Sequence, residues 1–237
     1  MTEEDSQGVR LAKRVAALAG CSRREAELLI ENGAVRVDGG VTLLPQARVL
    51  PTQEVSIEPG AQPVAVPPVT LLLHKPAGLR TDDAAALLVP ANLQATASGH
   101  NRPLLPRHLS GQRCMTPLEV QASGLLVFTQ EWRVERKIVE DADFIEYEVM
   151  VDVAGAVTPQ QLAQLDRAPA RVSIGRQDAK RTGLRFAVKG LKPGQIAWQC
   201  ERVGLTLEAM KRIRIGRLAL AGIAPGQWRY LLPTEKV

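Results

Sequence analysis

One acidic residue stands alone at the start of an apolar segment. In MTPLEVQASGLLVFTQ, residues 115–130, Glu119 is the sole charged residue, and it precedes the strand-like run Gly124–Phe128. A carboxylate at the end of a buried strand can act as a nucleophile or as a general base. A solvated turn residue has the same signature, so this pattern leaves both interpretations open.

Basic residues cluster near the N-terminus, where they could neutralise phosphate groups. Three recur at positions i, i+3 and i+4 of a predicted helix, and two more open the next helix. These residues are Arg10, Lys13, Arg14, Arg23 and Arg24. Such a cluster is typical of nucleic-acid binding, because each phosphate contact releases counterions. The alternative is an ordinary solvated surface, balanced by Glu25, Glu27 and Glu31.

Four further side chains could line a site in the C-terminal part. Tyr147 lies on the apolar side of an alternating strand, which predicts a site residue or a core tyrosine. Arg212 and Arg214 share one face of a predicted strand, and this suits phosphate contact or a solvated sheet face equally well. Lys75 precedes Pro76 at a turn, so it contacts RNA or is an ordinary turn lysine.

The composition is that of a globular protein with a basic balance. Of 237 residues, 45% are hydrophobic and 23% are charged, the net charge is +5, and the length allows two modest domains. A content of 3% aromatic residues disfavours stacking on many bases as the main binding mode. The cysteines and histidines show no disulfide or metal spacing. We therefore expect no metal, no membrane contact and a cytoplasmic location.

Helix and turn signals predict a small N-terminal unit over residues 9–58. Apolar periodicity over Leu11–Leu18 predicts a helix, and Ser22 with Glu25 three positions later predicts the capping box of a second one. Short strands and an Asp-Gly turn follow. The proline-rich segment 59–68 predicts a semi-rigid linker.

The remainder, residues 69–237, is predicted to be one larger domain. The clearest strand, Ile145–Val153, alternates over its whole length, and another strand is predicted over Leu205–Ile215. A helix is predicted over Gln195–Val203, before a glycine stop. Because the order lacks a βαβ rhythm and a phosphate-binding glycine motif, we expect an α+β fold with a mixed, largely antiparallel central sheet.

The stretch from Arg10 to Gly39, with SRREAELLIENGAVRVDG as its core, resembles the S4 RNA-binding domain. In that family, two helices and the following turn bind structured RNA through basic side chains. The resemblance implies an RNA-binding role for the five basic residues of this stretch.

Three motifs of the larger domain resemble the RsuA-like branch of RNA pseudouridine synthases. LLLHKPAGL is similar to the family's strand and N-K-P-x-G turn, with His74 in place of Asn. PLEVQASGLLVFTQ is similar to G-R-L-D-x-x-T-x-G-L-L-L-x-T, and VGLTLEAMKRIRIGRLALAGIAPGQWRYL resembles the C-terminal strands. The resemblance implies isomerisation of uridine to pseudouridine without a cofactor. It also implies that Glu119 takes the place of the catalytic Asp and that Tyr147 packs against the target base.

Two departures from the family pattern affect the residues that the reaction requires. The Gly-Arg-Leu-Asp frame is Thr116–Glu119 here, so the acid is one methylene longer. A displacement of about 1 Å can cost roughly a hundredfold in rate. The family motif E-G-R-N-R-Q-I-R-R-M is Gly190–Gln199 here, with Ala197 and Trp198 in place of the arginine pair and only Lys192 still basic. An unpaired, partly buried carboxylate drifts towards its neutral form.

Two main hypotheses follow. The first is an RNA uridine isomerase acting on ribosomal RNA through Glu119 and Tyr147, with Lys75 or Arg202 supplying the missing positive charge. The second is a catalytically inactive family member that serves as an RNA-binding or ribosome-assembly factor. A structural protein with an incidental basic face is a third alternative, which the S4 motif disfavours. In the first two the partner is structured RNA, and we expect a monomer without a small-molecule cofactor.

The surroundings of Glu119 discriminate between the two hypotheses. Catalysis requires a carboxylate oxygen in a cleft near Tyr147, with a lysine or arginine beside it. A carboxylate that points into solvent, or a cleft blocked by Trp198 or Pro117, argues against catalysis.

Overall fold

The computed structural model describes residues 8–94 and 104–236, which fall into two compact units. The first comprises the described residues up to Pro68 and the segment ending at Gly111, and the second comprises the rest. This division places residues 104–111 in the first unit, although no local sequence signal links them to it. Residues 95–103, part of the stretch predicted to be loose, and with them His100, lie outside the described residues.

The first unit is built from short helices and strands. Its helices are α1 Leu11–Ala19, α2 Arg23–Glu31 and α3 Pro106–Leu109. Its strands are β1 Val9–Arg10, β2 Val35–Val37, β3 Gly40–Val41, β4 Arg48–Val49 and β5 Val55–Ile57. Strand β2 lies between β3 and β5, and β1 pairs with β4.

The predicted capping box forms at the start of α2. The Ser22 hydroxyl accepts a hydrogen bond from the Glu25 amide at 3.2 Å, and the Glu25 carboxylate accepts one from the Ser22 amide at 2.8 Å. Leu11 and Val15 are buried as expected, but Leu18 is 56% exposed. The predicted helix forms over Leu11–Ala19, and the apolar cluster along it ends one turn before Leu18.

The second unit is built on a large sheet. Its helices are α4 Trp132–Glu140, α5 Pro159–Leu165 and α6 Gln195–Arg202, and 3-10 turns lie at Asp83–Leu87 and Pro90–Asn92. Its strands are β6 Thr70–Lys75, β7 Arg113–Cys114, β8 Ser123–Thr129, β9 Glu146–Ala154, β10 Ala170–Gln177, β11 Arg181–Lys189, β12 Leu207–Ile215, β13 Leu218–Ala219 and β14 Trp228–Tyr230.

The sheet is mixed and largely antiparallel, as the sequence predicted. Its described strands follow the order β10-β11-β9-β12-β8-β6-β14, with β13 beside β12 and β7 beside β8. Strands β8 and β12 are parallel neighbours, whereas the other pairs are antiparallel. Strands β6 and β8 are almost entirely buried, which explains their continuous apolar sequences. The α+β fold class is confirmed.

One glycine permits the close approach of β8 to β12. Gly124 has a φ of +125° and pairs with Arg212. A Cβ atom at this position would lie 2.3 Å from the Arg212 carbonyl oxygen and 2.5 Å from its nitrogen. Because such contacts are impossible, only glycine can bring the strand after Glu119 this close to Arg212.

Among residues 8–94 and 104–236, no helix is both long enough and apolar enough to cross a bilayer.

Candidate active site

The loop that carries Glu119 is tied down on both sides. The Thr81 hydroxyl accepts a hydrogen bond from the Leu118 amide at 3.0 Å, and it lies 2.8 Å from the Leu118 carbonyl oxygen. The Val120 carbonyl accepts the Gly78 amide at 2.7 Å. These bonds fix the backbone at Glu119 relative to the turn after β6, so the position of the carboxylate depends mainly on its own side chain.

The Glu119 carboxylate contacts the start of α6. Its Oε1 accepts a hydrogen bond from the Gly194 amide at 2.5 Å, and the side chain is half-buried. No lysine or arginine of residues 8–94 and 104–236 lies within ion-pair distance of it. The carboxylate is therefore held by a backbone donor at a helix N-terminus, where the helix dipole favours negative charge.

Arg212 lies buried beside this loop. Its guanidinium donates to the carbonyl oxygens of Thr116, of Pro117 at 3.1 Å and of Leu125 at 2.7 Å. Burial lowers the pKa of Arg212 to about 10, and the nearby Tyr147 and Glu119 oppose this shift. The side chain therefore stays cationic at neutral pH, and it holds the backbone on either side of the Glu119 loop.

Tyr147 lies next to Arg212, on the buried side of β9. Its ring centroid is 5.7 Å from the Arg212 guanidinium carbon, and its exposed fraction is 8%. Burial raises the pKa of the phenol, and Arg212 opposes the shift. Tyr147 also belongs to an apolar cluster with Leu125 and Ile215, so its ring has both a core contact and a cationic neighbour.

Lys75 is buried rather than exposed at the turn after β6. Its ammonium donates to the carbonyl oxygens of Leu79 at 2.6 Å, Pro76 at 3.1 Å and Val120 at 3.2 Å. Burial lowers its pKa, whereas Glu119 raises it and Arg212 lowers it. With an exposed fraction of 0%, Lys75 offers no surface to RNA in this conformation, and its contacts stabilise the Glu119 loop.

The two arginines of β12 do not share a face, so this part of the sequence prediction is wrong. Arg212 pairs with Val149, whereas Arg214 pairs with the adjacent residue Glu148, because a β-bulge shifts the register between the two arginines. Neighbouring residues of β9 point to opposite faces, and so do these arginines. Arg214 forms ion pairs with Glu146 at 2.5 Å and Glu148 at 2.7 Å.

The predicted RNA-binding residues of the first unit divide by their contacts. Arg14 is half-buried and donates to the carbonyl oxygens of Leu50 and Gln53, both at 3.1 Å. The other four are exposed: Arg10, Lys13, Arg23 and Arg24. Arg23 and Arg24 approach Glu27 at 3.7 and 3.4 Å, a weak exposed pairing that leaves them able to contact phosphate.

Trp198 lies on α6, and its side chain is 53% exposed. The Arg202 guanidinium carbon lies 4.6 Å from its ring centroid. Arg202 is thus engaged with Trp198 and forms no ion pair with Glu119.

Sequence reasoning missed two residues of the site and the role of a third. Gly194 binds Glu119 through its amide, and Thr81 holds the loop, but neither has a side chain that indicates chemistry. His74 is buried, and its Nδ1 must carry the proton because it lies 2.7 Å from the Ile223 carbonyl oxygen. Burial lowers the pKa of His74, so the neutral ring holds the C-terminal segment in place. The one sequence signal for this role was that His74 replaces the Asn of the N-K-P-x-G motif.

Part of the first unit, and separately most of the chain, match known proteins. A family model described as the S4 domain matches residues 9–55. The uncharacterized RNA pseudouridine synthase of Aquifex aeolicus is 25% identical, over 96% of this chain and 94% of its own length. The ribosomal large subunit pseudouridine synthase B of Bacillus subtilis is 25% identical, over 95% of this chain and 93% of its own.

A solved crystal structure of a pseudouridylate synthase has the same fold. The two structures align with a TM-score of 0.55, over 95% of this chain and 96% of that one, at 17% identity. The chain therefore contains an S4 domain, a class of domain that indicates RNA binding. Its homologues over most of its length are RNA pseudouridine synthases, which confirms the resemblance that the motifs indicated.

Proposed function

We propose that the protein converts uridine to pseudouridine in structured ribosomal RNA, with Glu119 as the catalytic carboxylate and Tyr147 against the target base. The observation that carries the proposal is the hydrogen bond from Gly194 to Glu119 Oε1, at a site next to the buried Arg212–Tyr147 pair. Among the residues that the structure describes, no donor binds the other oxygen, Oε2. One oxygen is thus held, and the proposal assigns the other to the ribose.

The chemistry requires an ionised carboxylate against the sugar of a flipped uridine. Acting as nucleophile or as base, Glu119 promotes cleavage of the C–N glycosidic bond. The detached base then turns, and its C5 atom forms a C–C bond to the ribose; C5 loses its proton and N1 takes one up, so that no atom is gained or lost overall. The carboxylate lies at a helix N-terminus, and its charge raises the pKa of both Lys75 and Arg212 against the lowering by burial. We propose that the protein acts as a monomer in the cytoplasm and without a cofactor.

The test is a map of pseudouridine in cellular RNA with and without the gene. We expect one or a few ribosomal positions to lose pseudouridine when the gene is deleted, and to regain it when the wild-type gene is returned. If every position keeps its pseudouridine after deletion, the isomerase proposal is wrong.

RNA binding through the first unit has its own prediction. Replacing Arg10, Lys13, Arg23 and Arg24 together by glutamine should weaken binding to ribosomal RNA at least tenfold. The slope of log K against log salt should fall by about 0.7–0.9 for each phosphate that the variant no longer neutralises. Filter binding at several salt concentrations measures both quantities.

The matched control removes the same charge from exposed bases of the second unit, Arg167, Arg171, Lys180 and Lys189. This variant should keep both affinity and salt slope. Equal reductions in the two variants would indicate a general effect of net charge and would contradict a dedicated RNA surface on the first unit.

A second candidate function is RNA binding without catalysis. The observation that favours it is the same hydrogen bond from Gly194 to Glu119, because this bond can also serve as a cap of α6. In that interpretation, Glu119 stabilises the start of α6, and Lys75 and Arg212 serve only to bind backbone carbonyls. It predicts that the protein binds ribosomal RNA in cells while the pseudouridine map is unchanged by deletion.

A further inference from the structure

The partner of Glu119 is a backbone group in a left-handed conformation. Gly194 has a φ of +79° and is the N-cap of α6, and this cap has no side chain to bind the first amides of the helix. Its amide donates instead to Glu119, 75 residues earlier in the chain, at 2.5 Å. A carboxylate thus occupies the positive end of an eight-residue helix, through a short, charge-assisted hydrogen bond.

Two departures from the family motifs meet at this bond. Where Gly194 stands, the motif E-G-R-N-R-Q-I-R-R-M has an arginine, and where Glu119 stands, the other motif has an aspartate. Compared with the motifs, the acid of this chain is longer by one methylene, and the residue at position 194 has no side chain.

The length of Glu119 is necessary for this contact. An aspartate would carry its carboxylate about 1.5 Å closer to the backbone, the length of one C–C bond. The 2.5 Å contact with Gly194 would then open to about 4 Å, beyond hydrogen-bonding distance. The bonds of Thr81 to Leu118, and of Gly78 and Lys75 to Val120, prevent the loop from advancing to close the gap.

We infer that Glu119 and Gly194 form a compensated pair, in which the Gly194 amide and the N-terminus of α6 position the catalytic carboxylate in place of an arginine. Gly194 is a positioning residue, because it acts through Glu119. This inference rests on the proposed isomerase function. It has an unusual consequence: restoring the family's aspartate should impair the site rather than improve it.

The activity experiment uses the position whose pseudouridine depends on the gene. Glu119→Asp should lower conversion at that position by about a hundredfold. Combining Glu119→Asp with Gly194→Arg should recover part of the activity, whereas Glu119→Asp with Gly194→Gln should not. Arginine and glutamine are equally strained at this positive φ. A difference in conversion between the two double variants therefore reports the effect of the longer, charged side chain of arginine. Wild-type conversion by Glu119→Asp alone would overturn the inference.

A second measurement does not depend on activity. In protein labelled with ¹⁵N-glycine, the Gly194 amide proton should resonate downfield at neutral pH, because it donates to a carboxylate over a short distance. This downfield displacement should be smaller in Glu119→Gln, whose acceptor is neutral, and smallest in Glu119→Asp, whose carboxylate falls short of the amide. Gly204 is the internal control, because its left-handed amide donates to the Glu201 carbonyl and should not respond.

The two measurements separate the possible failures. If deletion of the gene changes no pseudouridine but the Gly194 amide responds to Glu119, the bond exists and the isomerase function is wrong. If pseudouridine depends on Glu119 but the Gly194 amide is insensitive to Glu119→Asp, the compensated pair is wrong and the isomerase function stands.

Discussion

Glu119→Gln is expected to lower pseudouridine formation by about 10²–10⁴-fold, the range associated with a positioned acid–base group. Glutamine has the same length, and its amide oxygen can still accept the hydrogen bond from Gly194. It has no charge, however, and can neither attack a ribose carbon nor accept its proton. The measurement is the fraction of pseudouridine at the gene-dependent position in cells that express the variant.

The control for this variant is Glu140→Gln, which removes the same charge from an exposed side chain of α4. Glu140 forms an ion pair with Arg136 at 2.7 Å, a surface pair of little consequence. RNA binding should be unchanged in both variants, because neither touches the basic surface of the first unit. Full pseudouridine formation by Glu119→Gln would exclude Glu119 as the catalytic residue.

Arg212→Met should lower the free energy of unfolding of the second unit by about 2–4 kcal/mol. Methionine fills much of the volume, but it leaves the carbonyl oxygens of Thr116, Pro117 and Leu125 without their donor. An unsatisfied buried acceptor costs about 1–3 kcal/mol, and removing the buried charge offsets part of the total. The Glu119 loop should also loosen, so activity should fall further than stability alone explains.

Denaturant unfolding followed by tryptophan fluorescence measures this destabilisation selectively. Trp132, Trp198 and Trp228 are the three tryptophans of the chain, and all lie in the second unit. Arg217→Met is the matched control, since Arg217 is exposed and five residues along the chain from Arg212. It should change stability by less than about 0.5 kcal/mol. Equal stability of the two variants would show that the carbonyl contacts of Arg212 contribute little.

Short-range chemistry made much of the fold predictable. The capping box of Ser22 and Glu25 needs only residues three apart, and α2 begins where it predicts. Thr158 with Gln161 caps α5 in the same way, and alternation located β9 to within one residue at each end. In each case the interacting groups lie within a few residues of each other, so the sequence contains the complete signal.

Burial of charge was not predictable in the same way. Lys75 and Arg212 were predicted as RNA contacts because bases at turns and on strands are usually solvated. Both are buried, because they bind carbonyl groups that are distant in sequence: Lys75 contacts Val120, 45 residues away, and the partners of Arg212 lie 87 to 96 residues away. The bulge in β12 likewise depends on its pairing with β9, and this pairing turns Arg212 and Arg214 to opposite faces.

The sequence by itself revealed the resemblance to RNA pseudouridine synthases, aligned Glu119 with the family's Asp, and showed that the arginine pair of the second motif is replaced by Ala197 and Trp198. Those conclusions depend on residue types in order along the chain. Only the tertiary structure decided which group binds Glu119, because that group is a backbone amide, and every residue except proline has one. Glu119 meets this particular amide because the sheet brings the start of α6 to a loop that Thr81, Lys75 and Arg212 hold in place.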